Sequence, residues 1–314
     1  MTKYAIRRLL IAVPTLLLIS VVVFTVLALA PGDPLSQFAA SPELPPEVRA
    51  NIRKQFGLDD PIYVRYTKWL GSFVRSDWGF SFASRSPAIG LIQQRLPTTL
   101  WVVGSAYLIA VLIAIPLGVT TSARQYSLYD HIATGLSFAG FSLPTFFTGV
   151  LLIIIFSVQL HLLPMVYDQQ VTDPVSWLKQ AIMPVTVLAL FEGATLNRYV
   201  RASMLDNLNQ DYARTAWAKG LAERSIIVRH VLRNALVPVV TLVGLQLPTV
   251  FTGAVVTEQI FRVPGIGSLL IASIQNSDTP VIMSIIMVFS ILVVLATLIA
   301  DLLYGVLDPR VRYG

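Results

Sequence analysis

Six runs of this chain carry almost no formal charge, and nothing else in it constrains the fold as strongly. They are 9–30, a stretch within 96–123, a stretch within 132–160, 180–197, 234–257 and 279–300. Each approaches or exceeds the roughly 20 apolar residues that an α-helix needs to cross the bilayer hydrocarbon. Only 180–197 carries a carboxylate, Glu192, together with Pro184 and Gly193. Helices satisfy their backbone hydrogen bonds internally, so six such runs predict an all-α membrane protein with six spanning helices. Composition agrees: 13% of the 314 residues are charged and 55% are hydrophobic, against about a quarter charged in soluble domains.

The first run has two readings. Lys3, Arg7 and Arg8 before it, and Ala28-Leu29-Ala30 at its end, follow a secretory-signal pattern. Its length exceeds a usual signal core and Pro31 follows the would-be cut, which favours a retained helix.

Orientation follows from Lys and Arg. With the N-terminus inside, the inner segments hold thirteen of the 23 basic residues and the two short outer loops hold Lys179 and Arg262. The long outer segment 31–95 holds eight, but long segments cross largely regardless of charge. Both termini are expected on the cytoplasmic side, and the net charge of +6 is explained by topology without nucleic acid.

The expected organisation is an N-terminal tail and first helix over 1–30, an external segment over 31–95, and a five-helix core over 96–314 with an inner loop at 199–233. The external segment is too long for a plain connection. Pro45-Pro46-Glu47 reads as a helix start and Gly57 as its stop. Ile62, Tyr66, Trp69, Leu70 and Phe73 share one helical face, on the membrane surface or against the other outer loops. The segment either caps the bundle or docks an external partner, and Trp69, Glu258 and Arg262 are candidate contacts for one.

Polar groups in or beside the spans are Glu192, Asn197, Gln246 and Asp301. An ionisable group at membrane depth is costly and marks a functional hypothesis. Glu192 either lines a path or forms a structural pair, and Asp301 pairs with Arg310 or Arg312 at the interface or has a role of its own. Pro14, Pro116, Pro144, Pro184, Pro238 and Pro248 fall in or near the spans, where proline kinks helices and frees carbonyls. Gly140, Gly149, Gly244 and Gly253 permit close packing. Ser142, Pro144, Glu192, Gln246 and Thr252 are therefore candidate pathway residues. No single helix carries a chain of Asp, Glu and His of the kind a proton-coupled carrier uses.

Several function classes are excluded. The chain has no cysteine, and His131, His161 and His230 are scattered, so neither a thiolate nor a zinc-type cluster is expected. No G-x-x-x-x-G-K-[ST], G-x-S-x-G or H-E-x-x-H occurs. No catalytic residue and no cofactor are expected here, and any ATP and magnesium would be used by separate subunits.

Within the inner loop, Asp211 to Gly220 reads as a short helix, with Asp211 as its N-cap and Gly220 as the left-handed residue that ends it. Ala213 and Ala216 lie three apart and form a nearly flat face that invites close approach by a partner. The preceding 201–208 extends the fourth span. Residues 225–236 read as a further helix, whose Arg224, Arg229 and Arg233 also suit an in-plane amphipathic element.

The run from Gln210 to Leu221, followed by 229–238 ending in Pro238, resembles the coupling loop of bacterial ABC importer permeases, closest to the B-type subunit of the dipeptide/oligopeptide family. Segments 30–34, 56–63, 95–100, 257–267 and 307–310 agree, so the resemblance covers nearly the whole chain. It implies a type I importer permease fold in the bacterial inner membrane. It also implies a homologous second permease, two cytoplasmic ATPase subunits and an external substrate-binding protein. Thr215 and Ala216 match the two small positions of the family's Glu-Ala-Ala motif and Gly220 its glycine, while Arg214 stands where the wider superfamily has Glu. The resemblance thus implies an ATPase-coupling set of Asp211, Ala213, Arg214, Thr215, Ala216, Lys219 and Gly220, with Arg214 or Lys219 reaching an acidic rim. Its implied cargo is a di- or oligopeptide, with nickel chelate, glutathione or another small solute as alternatives.

Overall fold

The computed structural model describes residues 2–29, 59–171 and 173–307. Almost every described residue outside the turns is helical. The elements are α1 (Thr2–Leu29), α2 (Ile62–Val74), α3 (Ala88–Ala123), α4 (Leu128–Ser142), α5 (Thr145–Leu152), α6 (Pro174–Leu208), α7 (Asp211–Ala218), α8 (Leu232–Phe261), α9 (Ile266–Gln275) and α10 (Thr279–Leu307). A π-helical stretch, Ile153–Gln159, continues α5, and a second one, Ile226–Val231, leads into α8.

Among the described residues five helices are long and apolar enough to cross a membrane, or up to seven spans if each of two bent helix pairs counts as one. The third expected span departs from a straight rod: α4 and the α5 segment meet at 105°. The cause is local. Leu143 precedes Pro144, whose ring disfavours the helical region for its neighbour, and Leu143 is extended (φ −84°, ψ 126°). The fourth span is longer than its charge-free run suggests. Asp173 caps it by accepting from the Ser176 N–H at 2.8 Å, Pro174 opens it, and it runs 35 residues through Pro184. That N–H also holds the Asp173 carboxyl below the usual carboxylate range.

The chain divides into two compact units. One comprises 7–29, 59–98 and 264–294. In it, the aromatic face of α2 packs on α1, with Phe24 5.5 Å from Tyr66 and 5.7 Å from Trp69 between ring centroids. The Ser20 hydroxyl bonds the Tyr66 hydroxyl at 2.9 Å. The face expected on the membrane surface or the outer loops is therefore taken up by the first helix. The helix expected between Pro45 and Gly57 lies outside the described residues.

The turn before α3 is pinned by Asp278, which is 2% exposed. Its carboxylate accepts from the Ser81 hydroxyl and from the N–H groups of Phe82 (3.2 Å) and Ala83 (3.3 Å). Asp278→Ala strands three donors, and a lost charged partner costs about 2–3 kcal/mol. The expected outcome is a turn that opens and tryptic cutting at Arg85 that speeds up by an order of magnitude or more, measured on the purified protein.

The other unit comprises 2–6, 99–263 and 295–307. Here α6 is central and packs against α4, α5 and α8. Backbones approach closely where glycine allows: a Cβ on Gly118 would lie 2.6 Å from the Val200 side chain, and one on Gly244 1.8 Å from that of Ala300. The core beside the inner loop is formed by Ala114, Leu196, Val200, Met204, Ile226, Val231 and Val239, with Ala213 and Ala216 among them.

Candidate functional site

The loop helix α7 forms where the sequence places it, with two differences. Gln210, extended at φ −75° and ψ 154°, is the N-cap and makes no side-chain cap bond. Asp211 is the first helical residue and is fully solvent-facing, which suits the helix dipole without capping it. The expected cap at Asp211 is corrected by one position.

The second difference changes the reading of the surface. Ala213 is 0% exposed and Ala216 6%. The alanine face is turned inward, against α6 and the 226–231 stretch, because only a methyl-sized side chain lets α7 lie flat on them. It is not offered to a partner. The free side carries Asp211, Tyr212, Arg214, Thr215, Trp217 and Lys219. Arg214 reaches Asp211 at 3.8 Å, a pair exposed on both sides and of little energetic weight. Thr215 returns its hydroxyl to the Asp211 carbonyl, and the Tyr212 hydroxyl donates to Asn207 Oδ1 at 2.7 Å.

The C-terminus is closed by a Schellman motif. Gly220 N–H donates to the Trp217 carbonyl (2.9 Å) and Leu221 N–H to that of Ala216 (3.4 Å). Gly220 has φ +72°, in the left-handed region that the sequence predicts for it. No atom lies within 4 Å of where its Cβ would stand, so conformation alone demands glycine here.

Beyond the loop, the expected pathway residues fall into separate settings. Glu192 is 3% exposed and faces α8, where Thr249 Oγ1 lies 3.4 Å from its carboxylate. Gln246 sits one turn before Thr249, with Oε1 buried and without a hydrogen-bond partner. Thr252 is exposed on α8, and Ser142 and Pro144 are exposed at the α4–α5 bend. Among the described residues no hydrogen bond joins these groups to Glu192. Asp301 lies on α10, and Arg310 and Arg312 lie outside the described residues.

The expected external contacts divide. Arg262 is exposed and ends α8 in the left-handed region, at φ 52°. Glu258 is 0% exposed and accepts from the Thr99 hydroxyl at 2.6 Å, so it is an interior residue and no contact surface. Trp69 is half-buried in an aromatic column with Phe24, Tyr66 and Phe73.

A polar cluster that the sequence reading passed over lies between α4 and α6. Asp130 accepts from Arg201 Nε (2.9 Å) and Nη2 (2.8 Å), from the Tyr126 N–H and from the Thr134 hydroxyl. Its local signal is legible: Ser127 Oγ accepts from the Asp130 N–H, the S-x-x-D pattern of a helix start. The partner 71 residues away has no such signal.

This arrangement of long, bent and closely packed apolar helices is that of type I ABC importer permeases. It matches the methionine ABC transporter MetNI in its inward-facing conformation (TM-score 0.57, 16% identity, covering 70% of this chain and 97% of that one). It also matches an amino acid ABC transporter crystallised with histidines (0.54, 14%, covering 69% and 94%). Residues 110–313 match the model for binding-protein-dependent transport system inner membrane components, and residues 1–103 match that family's N-terminal membrane component. The chain belongs to this family of transport-system inner membrane components. It is 42% identical, end to end, to the oligopeptide transport system permease protein AppB of Bacillus subtilis (strain 168). It is 37% identical, again over the whole of both chains, to the glutathione transport system permease protein GsiC of Escherichia coli (strain K12).

Proposed function

We propose that this chain is one of two permease subunits of an ATP-driven importer for di- and oligopeptides. Both termini lie in the cytoplasm, and one of two ATPase subunits binds this chain's 211–220 helix, the other binding the second permease. A substrate-binding protein delivers cargo from outside, and a second, homologous permease completes the pathway. The chain itself is non-catalytic: ATP and magnesium are held by the ATPases. One observation carries the reading. An eight-residue helix, too short to persist alone in water, is locked by a Schellman cap and a buried alanine face, with Tyr212, Arg214, Trp217 and Lys219 exposed on its other side. A rigidly seated element with an unoccupied aromatic and basic side is what transmitting motion between an ATPase and α6 and α8 requires, since coupling needs differential contact in two states. End-to-end relatedness to an oligopeptide permease supports the peptide cargo, and glutathione, itself a tripeptide, falls within the same class.

Gly220→Val tests it. A β-branched residue in the left-handed region costs about 1–2 kcal/mol, enough to unlock a helix with so few internal bonds. In the reconstituted transporter, ATP-dependent peptide uptake and ATPase co-purification are expected to fall roughly tenfold, which is what about 1.4 kcal/mol amounts to. Wild-type values for both would remove the coupling assignment.

A further inference from the structure

A cleft of about 320 Å³ opens within the unit that contains α1, α2 and the start of α10, at the end of α1 remote from its N-terminus. Its walls are Phe24 of α1, Trp69 of α2, Trp78, Phe80 and Phe82 between α2 and α3, and Met283 near the start of α10. Phe24 lies fifteen residues beyond Leu9, where the first charge-free run begins. That places it roughly 22 Å along a span through hydrocarbon about 30 Å thick. The cleft therefore stands near the level where hydrocarbon gives way to headgroups, the depth at which Trp is favoured. Its rings are held in place: Trp69 lies 5.7 Å from Phe24, and Phe73 stacks on Trp78 at 5.1 Å between centroids.

Phe24 sits at a border on α1. One turn back, Ser20 is buried against Tyr66, whereas its neighbours Val21 and Val22 are exposed. In a membrane that exposed flank meets acyl chains. Three charged side chains also line the cleft, and two of them are committed. Lys68 donates to Asp60 at 2.6 Å. Asp77 accepts from the Gly79 N–H at 3.3 Å. The third, Arg65, is half-buried one helical turn before Trp69, on the same face of α2. Among the described residues no carboxylate pairs with its guanidinium. A guanidinium presents a rigid fork of donors that matches a phosphate.

An aromatic cleft at the edge of the hydrocarbon, with one uncommitted guanidinium beside it, matches an amphiphile that has an anionic head and an apolar tail. We propose that this cleft holds a membrane phospholipid, with Arg65 gripping the phosphate and part of one acyl chain lying against Phe24, Trp69 and Met283. A peptide matches it less well, because its backbone N–H and C=O groups would meet a wall of rings that offers them no partner. The volume suits a segment of one chain, at the lower end of the roughly 300–1,000 Å³ usual for small-molecule sites. A lipid seated there touches α1, α2 and α10 at once and so ties the first helix to the rest of its unit. The proposal stands apart from the importer reading and does not depend on the cargo.

The test uses the whole transporter in vesicles of digalactosyldiacylglycerol, a bilayer lipid without phosphate. Two probes are compared at equal mole fraction, phosphatidylglycerol and diacylglycerol, each with the same diazirine-bearing acyl chain. After illumination, mass spectrometry measures adducts on 65–82 against adducts on 17–22, the exposed flank of α1. Phosphatidylglycerol is expected to label 65–82 about tenfold more than diacylglycerol, the scale of one charge-assisted contact, and to saturate as its mole fraction rises. On 17–22 the two probes should label alike and without saturation. Arg65→Gln is expected to abolish the preference at 65–82. Arg65→Lys should keep part of it, since an ammonium attracts phosphate without the two-pronged grip. Equal labelling of 65–82 by both probes in wild type, or labelling there that only tracks 17–22, overturns the proposal. Displacement of the phosphatidylglycerol adduct by inorganic phosphate, by tri-alanine or by the binding protein also overturns it, and assigns the cleft to a free anion, to cargo or to a docking surface respectively.

Discussion

Phenylalanine at position 213 is expected to abolish coupling while leaving the membrane core folded. Ala213 is 0% exposed and wedged among Leu196, Val200, Met204 and Ile226. Forcing a larger side chain into a well-packed core costs about 1–3 kcal/mol. In a long helix that strain would be shared. Here it falls on eight residues whose internal reserves are one exposed i,i+3 ion pair and a few side-chain returns, so it is released by lifting α7 off α6. The expected result is ATP-driven uptake below about a tenth of wild type, as about 1.4 kcal/mol or more of undocking implies. The ATPase should then no longer respond to loaded binding protein, and trypsin should cut faster at Arg214 and Lys219. Thr215→Ala, on the free side of the same helix, should leave protease resistance unchanged. Wild-type uptake and resistance in Ala213→Phe would mean that seating of α7 is irrelevant to transport.

The same residue shows where the sequence stops being informative. Two alanines three apart announce a flat face, and the flatness is real. Whether a flat face points at a partner or at the chain's own core depends on what surrounds it. Larger apolar residues usually point inward, yet here Tyr212 and Trp217 point out and the methyl groups point in. Only the positions of α6 and the 226–231 stretch decide this, and neither is encoded locally. Glu258 is the mirror case: a carboxylate near a span end suggests a surface contact, but Thr99, 159 residues earlier, supplies the hydroxyl that makes burial tolerable. By contrast, features governed by short-range chemistry were legible from the residues themselves. Gly220 in the left-handed region, the proline-driven break after Ser142, and the spans as charge-free runs all depend on neighbours within one turn or on hydropathy alone. The Gln210 cap differed by a single residue for the same reason: an Asp suits both the cap and the first turn, and propensity does not separate them.

Asp130→Ala should be the most destabilising single change on the α4–α6 side. The carboxylate, with its side chain 5% exposed, satisfies two Arg201 nitrogens, the Tyr126 N–H and Thr134. Removing one partner of a buried pair typically costs 3–5 kcal/mol; with the Arg201 side chain still 26% accessible, about 2–3 kcal/mol is the fair expectation. That corresponds to a fall of several degrees in the melting temperature of the purified protein. Replacing both partners, Asp130→Leu with Arg201→Met, should recover most of the loss, because no uncompensated charge remains.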